Sequence, residues 1–274
     1  MVRAATVVQF PASVAAEPLV RVSGVDKVFA SRTRAPLKAV DNVSLDIASG
    51  EFVSIVGPSG CGKSTLIMMM SGLIPITKGE ISIGKKLVKR PYTELGIVFQ
   101  RDALLEWRTV LDNVLLQVDI RRLNRREFEP RAKDLLARAG LSGFESYHPW
   151  ELSGGMRQRV SICRALVCSP PLLLMDEPFG ALDAMTREQM NLDLQKIWLE
   201  DRKTVVFITH SIAEAVFLSD RVIVMSPRPG KVAADITIDL PRPRRLSVRE
   251  EPAFGRYVAT IRQTFQSFGL LKED

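Results

Sequence analysis

The sequence predicts an α/β fold, a parallel sheet with helices packed on its faces, and three observations lead there. Strand-like runs at 172–175, 204–208 and 221–225 alternate with helical runs at 186–200 and 212–218. That β-α-β-α-β succession indicates parallel strands joined by crossover helices. Residues 52–56 are apolar except for Ser54, as expected of a strand covered on both faces. They lead straight into Gly57-Pro58-Ser59-Gly60-Cys61-Gly62-Lys63-Ser64-Thr65, after which 63–72 reads as a helix.

The remaining elements follow in order. Residues 19–25, 40–47, 80–83 and 95–99 read as short strands, several with period-two alternation. From 109 to 169 the pattern turns helical: 110–121, 126–139 and 154–168 carry apolar residues at three- and four-residue spacing. Near the end, Pro227, Pro229, Pro241 and Pro243 punctuate a strand-like hairpin at 232–240. Phe254, Val258, Ile261, Phe265 and Phe268 then form one apolar stripe on a helix. The expectation is that this stripe docks on the chain's own domain, a subunit contact being the alternative.

Of the 274 residues, 46% are hydrophobic and 25% charged, which is globular rather than disordered composition. No run of about 18 apolar residues occurs. Even Leu66-Ile67-Met68-Met69-Met70 is closed by Ser71-Gly72, so any membrane crossing is expected of another subunit. The net charge of +7 does not by itself choose between nucleic acid, an anionic membrane and a nucleotide. Its main concentration, Arg121, Arg122, Arg125, Arg126, Arg131, Lys133 and Arg138, reads as a solvated helix face, with a docking or lipid-headgroup surface as the alternative. The three cysteines, Cys61, Cys163 and Cys168, have neither disulfide nor metal spacing and suit a reducing compartment. Residues 1–16 loosely imitate a secretory signal, but Gln9 and Pro11 interrupt the apolar run, so a flexible tail is expected.

Residues 57–65 fit the G-x-x-x-x-G-K-[ST] phosphate loop, whose glycines let backbone N–H groups surround phosphate oxygens. The helix start that follows adds unpaired N–H groups and partial positive charge. Lys63 is expected on the β- and γ-phosphates, Ser64 on Mg²⁺, and Thr65 on phosphate. The apolar run 172–175 would deliver Asp176 and Glu177 to the C-terminal edge of the sheet, where open α/β sheets bind ligands. Asp176 would hold Mg²⁺ and Glu177 would act as general base toward water. Gln100 and His210 follow other strands and could reach the same edge; alone, each is unremarkable. His148, beside Pro149, reads as loop structure. Ser153-Gly154-Gly155 open a helix and make a second anion site. One nucleotide already has its phosphates cradled at 57–65, so the second site invites a second chain.

Taken together these segments resemble the ATP-binding subunit of an ABC transporter over residues 17–245. The phosphate loop, Gln100, Leu152-Ser153-Gly154-Gly155-Met156, Asp176-Glu177, Gly180-Ala181-Leu182-Asp183 and His210 match its phosphate loop, Q-loop, signature, acidic pair, D-loop and switch histidine. The resemblance implies a P-loop NTPase core of RecA type with an N-terminal antiparallel β subdomain and an inserted helical subdomain at about 101–168. Residues 246–274 would be a C-terminal helical extension. It further implies ATP and Mg²⁺ and a head-to-tail homodimer. Each ATP would lie between one copy's phosphate loop, all of Gly57 to Thr65, and the other copy's Ser153, Gly154 and Gly155. Phe29 matches the ring that stacks on adenine, His210 the contact to the γ-phosphate, Gln100 a metal or water contact, and Asp183 a link between the sites.

The family's subunits work at the cytoplasmic face of the inner membrane, with two permease subunits and, indirectly, a solute-binding protein. The permease surface is expected at Arg101, Leu104, Leu105 and Trp107, with packing into the local core as the alternative. Residues 99–107 and Leu240-Pro241-Arg242-Pro243-Arg244 most resemble the nitrate, sulfonate and taurine importers, with a pyrimidine precursor or another small solute as the alternative. A soluble ABC-type ATPase of translation, DNA repair or chromosome organisation would carry a second cassette, zinc modules or coiled-coil insertions, and none is in this chain; no nucleic-acid partner is expected. A switch GTPase would share the phosphate loop alone.

Overall fold

The computed structural model describes residues 17–30, 35–180 and 182–269; the expected tail at 1–16 lies outside them. The chain runs β1 (Val20–Phe29), β2 (Leu37–Ile47), β3 (Phe52–Val56), α1 (Lys63–Met70), β4 (Lys78–Ile83), β5 (Lys86–Leu87) and β6 (Leu95–Val98). Four helices follow: α2 (Val110–Val114), α3 (Leu116–Ile120), α4 (Arg125–Arg138) and α5 (Gly154–Leu166). Then come β7 (Leu172–Asp176), α6 (Ala184–Asp201), β8 (Thr204–Ile208), α7 (Ile212–Leu218), β9 (Arg221–Met225), β10 (Val232–Thr237) and α8 (Pro252–Gln266).

Two sheets result. The first has the order β2-β1-β4-β5 and is antiparallel, with β1 as its hub: Val22 faces Leu45 on β2 and Ile81 on β4. The second has the order β10-β9-β3-β8-β7-β6, parallel from β9 to β6 and closed at one edge by antiparallel β10. The hairpin expected at 232–240 is therefore the pairing of β10 with β9.

The parallel strands are apolar throughout because their alternate residues enter two different cores. Phe52, Leu173, Met175, Val205 and Phe207 belong to the core shared with α2 to α8. Val53, Ile55, Leu172, Leu174, Val206 and Ile208 belong to the core shared with α1 and the antiparallel sheet. The six-stranded sheet is the wall between them.

Two expectations need correction. The single helix expected at 110–121 is kinked at Leu115, where ψ is 1°, although Asp119 N–H still donates to the Leu115 carbonyl at 3.0 Å. Val114, Leu115 and Val118 are all fully buried, and the kink turns three near-consecutive apolar residues inward where a straight helix would present about one face. Leu104, expected on the permease surface, takes the local-core alternative and is buried among the helices, while Trp107 is 75% exposed.

Four residues of the basic run are knitted to carboxylates: Arg125 to Asp112, Lys133 to Glu129, Arg131 to Asp201, and Arg138 to Asp134 and Glu200. Those pairs support the solvated face. The stripe on α8 packs inward, with Phe254 and Ile261 buried and Tyr257, Val258 and Phe265 partly so. Before it, Arg244 donates to the carbonyls of Val216, Phe217 and Ser219 at the end of α7 and to Ile238 and Leu240. Arg242 bridges Asp220 and the Leu218 carbonyl. The arginines of 240–244 thus satisfy the unpaired carbonyls that a helix C-terminus leaves. Burial lowers the pKa of the Arg244 guanidinium, and these carbonyls compensate.

Candidate active site

The phosphate loop joins β3 to α1. Gly60 and Gly62 have φ of 72° and 106°, values that a residue with a Cβ adopts at a cost, and a Cβ on Gly62 would sit 2.8 Å from the Ala39 carbonyl. Within the loop, Lys63 Nζ donates to the carbonyls of Gly57 at 2.8 Å and Pro58 at 3.0 Å and is 4% exposed. A buried ammonium held by neutral carbonyls is poised for an anion. Cys61 tucks its thiol into the protein, where burial raises its pKa, so only its backbone is available to a phosphate.

At the strand ends opposite, Ser64 Oγ donates to Asp176 Oδ1 at 3.0 Å. Burial raises the Asp176 pKa, and repulsion from Glu177 adds to it against the Ser64 hydrogen bond. A desolvated carboxylate joined to a hydroxyl is a hard-oxygen pair suited to Mg²⁺. Glu177 leaves β7 with φ of 47° and is fixed by donation of its N–H to the Ile208 carbonyl at 3.0 Å. A non-glycine residue in that left-handed region is strained, which is characteristic of functional positions. Its two oxygens meet two partners: His210 Nε2 at 2.5 Å from Oε1, and Gln100 Nε2 donating to Oε2 at 3.2 Å.

Lys63, Ser64, Gln100, Glu177 and His210 line a cleft of about 320 Å³ with Phe29, Leu37 and Arg228. The Phe29 ring is 40% exposed, with Lys27 Nζ 4.9 Å from its centroid. A second cavity of about 360 Å³ shares Gln100, Glu177 and His210 and continues to Arg187, Thr209 and Glu214. There burial raises the Glu214 pKa, opposed by the Thr209 hydroxyl at 2.5 Å and by Arg187 at 3.6 Å.

Ser153, Gly154, Gly155 and Asp183 do not line the cleft. Ser153 caps α5, its Oγ accepting from Met156 N–H at 3.2 Å, and Asp183 caps α6, its Oδ1 accepting from Thr186 N–H at 3.0 Å. A Cβ on Gly155 would lie 3.1 Å from Thr186 Cγ2, so the two helix starts are neighbours on an outer face. His148 stacks on Trp150 at 4.4 Å and stays in its loop. Leu37, Ala39 and Arg228 are cleft residues that the sequence did not indicate; Arg228, the charged one, sits in the turn between β9 and β10, with no motif around it.

Comparison with known proteins identifies the family of the chain. The family model for ABC transporters matches residues 40–180. A taurine import ATP-binding protein, TauB, from Rhizobium johnstonii is 45% identical over 254 residues, 91% of this chain and 97% of its own length. An uncharacterized ABC transporter ATP-binding protein from Methanocaldococcus jannaschii is 47% identical over 208 residues, covering 76% of this chain and 78% of that protein. Among solved structures, a dimeric post-hydrolysis state of the ATP-binding cassette MJ0796 bound to ADP and Pi superimposes with a TM-score of 0.72 at 35% identity, covering 81% of this chain and 99% of that one.

Proposed function

The chain belongs to the ABC transporter family of ATP-binding proteins, and from that premise we propose that it is the ATPase subunit of an importer for a small sulfonate of the taurine type. The observation that carries the reading is the convergence of His210 and Gln100 on Glu177, beside the Ser64–Asp176 pair, at the mouth of the phosphate loop. The taurine assignment draws on relatives that are taurine import ATP-binding proteins, TauB.

In this reading Lys63 and the amides at the start of α1 hold the β- and γ-phosphates, and the Phe29 ring stacks on adenine. Ser64, Asp176 and Gln100 would hold Mg²⁺, which neutralises charge on the phosphates when bound. Glu177 accepts the proton of the attacking water once its resting contacts to His210 and Gln100 have loosened. His210 then turns to the γ-phosphate. Ser153, Gly154 and Gly155 serve the site of a second copy, because they stand on an exposed helix start outside their own cleft. The MJ0796 relative is itself dimeric.

No helix among the described residues is long and apolar enough to cross a membrane. The import role of the TauB relative supports a reading in which separate permease subunits make the crossing and this chain works at the membrane's cytoplasmic face. Trp107, Arg101 and the partly buried Leu105 form the proposed permease contact. The chain's 17–245 region is proposed as the catalytic unit, with 101–168 as its helical insert and 246–274 as an extension.

Two measurements test the proposal. Purified protein should hydrolyse Mg·ATP, and disruption of the gene should abolish uptake of radiolabelled taurine while leaving an unrelated solute's uptake intact. Normal taurine uptake without the gene would overturn the substrate class, and absence of hydrolysis even with the permease would overturn the motor.

A further inference from the structure

We propose that Arg228 is a second cation of the nucleotide site, a binding residue delivered by the turn between β9 and β10 to hold the phosphate chain. The inference rests on the reading that the cleft takes ATP. Arg228 Nε donates to the Gly60 carbonyl at 2.9 Å, and its Nη2 would lie 2.6 Å from a Cβ at Gly60, so the guanidinium lies against the backbone of the phosphate loop. It lines the same cleft as Lys63 and Phe29.

The surroundings make the placement specific. Arg221 pairs with Glu51 and Asp235, and Arg242 with Asp220. Among the described residues no carboxylate lies within ion-pair distance of Arg228; the carbonyl is its partner. A guanidinium has five donors, and anchoring through Nε leaves the terminal nitrogens for an anion in the fork geometry that suits phosphate. The turn is firmly seated. Gly230 N–H donates to the Ala39 carbonyl at 3.0 Å, and its own carbonyl accepts from Asp41 N–H at 3.0 Å. A Cβ at 230 would lie 2.0 Å from the Cys61 carbonyl, so the turn meets the phosphate loop backbone to backbone. Ser226 Oγ accepts from Lys231 N–H at 3.0 Å and closes the turn from within.

The test measures ATP and ADP affinity by titration calorimetry of the full chain, with R228A, R228Q and R228K beside the parent. Glutamine keeps an N–H donor for the Gly60 carbonyl without the charge, which separates phosphate binding from support of the turn. Expected are dissociation constants raised about tenfold for both nucleotides in R228A and R228Q. The deficit should narrow as salt rises. R228K should fall between them and the parent, and in turnover the KM should rise by more than kcat falls. Lys63→Ala is the control: if it too binds normally, the nucleotide reading itself fails. If Lys63→Ala loses binding while R228Q, folded by circular dichroism, binds like the parent, only the role of Arg228 is overturned.

Discussion

His210 Nε2 lies 2.5 Å from Glu177 Oε1, while the carboxylate's other oxygen accepts from Gln100. The carboxylate at the end of β7 is thereby tied to side chains that follow β8 and β6, so three strand ends act through one group. In this resting arrangement the contacts to Glu177 occupy His210 and Gln100 together, and both must loosen when a γ-phosphate and water enter.

Glu177→Gln removes the proton acceptor while keeping the size of the side chain. Hydrolysis should fall by about 10²- to 10⁴-fold with ATP affinity retained, as read by phosphate release and by calorimetry. Turnover within a factor of about two of the parent would refute the base assignment.

Lys63→Ala strips the ammonium from the loop and leaves the Gly57 and Pro58 carbonyls without their donor. ATP affinity should drop by about 100-fold or more, since hydrogen bonds to charged groups contribute about 1.5–3 kcal/mol each. Equilibrium binding checks this without relying on turnover.

Asp176→Asn tests the metal assignment through stability. The folded-state pKa of Asp176 is raised by burial. Its favourable contribution is therefore present below the unfolded carboxylate pKa and is lost as pH rises through the folded value. At neutral pH the desolvated, metal-free carboxyl is a net cost, so the variant should melt no lower than the parent in EDTA at neutral pH. It should nonetheless lose the rise in Tm that Mg·ATP gives the parent. Differential scanning fluorimetry with and without Mg²⁺ reads both; an undiminished Mg²⁺-dependent rise would sink the assignment.

Ser153→Asn retains a side chain able to cap α5, whereas Ser153→Ala loses the cap at a cost of about 1 kcal/mol. If Ser153 serves a partner's nucleotide, both variants should lose ATP turnover although only the alanine variant is destabilised. Retention of turnover by the asparagine variant would confine Ser153 to its cap.

Arg244→Met should destabilise the chain by about 3–5 kcal/mol in urea unfolding, because five buried carbonyls lose their donor at once. A loss under about 1 kcal/mol would show that water replaces the guanidinium.

Much of the fold was legible because β3, β7 and β8 are short, apolar and spaced by amphipathic helices, and 57–65 stands where a strand hands over to a helix. Gln100 and His210 could be suspected only as residues following strands; their meeting at Glu177 depends on the order β3-β8-β7-β6, which no local pattern encodes. Arg228 was invisible for the same reason, since its approach to Gly60 joins positions 168 residues apart. Leu104 misled because an apolar residue in a loop resembles surface until the helices that cover it are in place. The kink at Leu115 was hidden because helical periodicity tolerates a small slip.

The wall formed by the six-stranded sheet makes chain neighbours energetic strangers. Phe52 and Val53 share a peptide bond, yet one faces the helical layer and the other the layer of α1 and the antiparallel sheet. Truncations at the two positions should therefore add, whereas Phe52 with Phe207, whose rings lie 5.9 Å apart, should be cooperative despite their distance in sequence. Repacking one side of the barrier leaves the other side's repertoire open, so the two halves of the domain can drift independently.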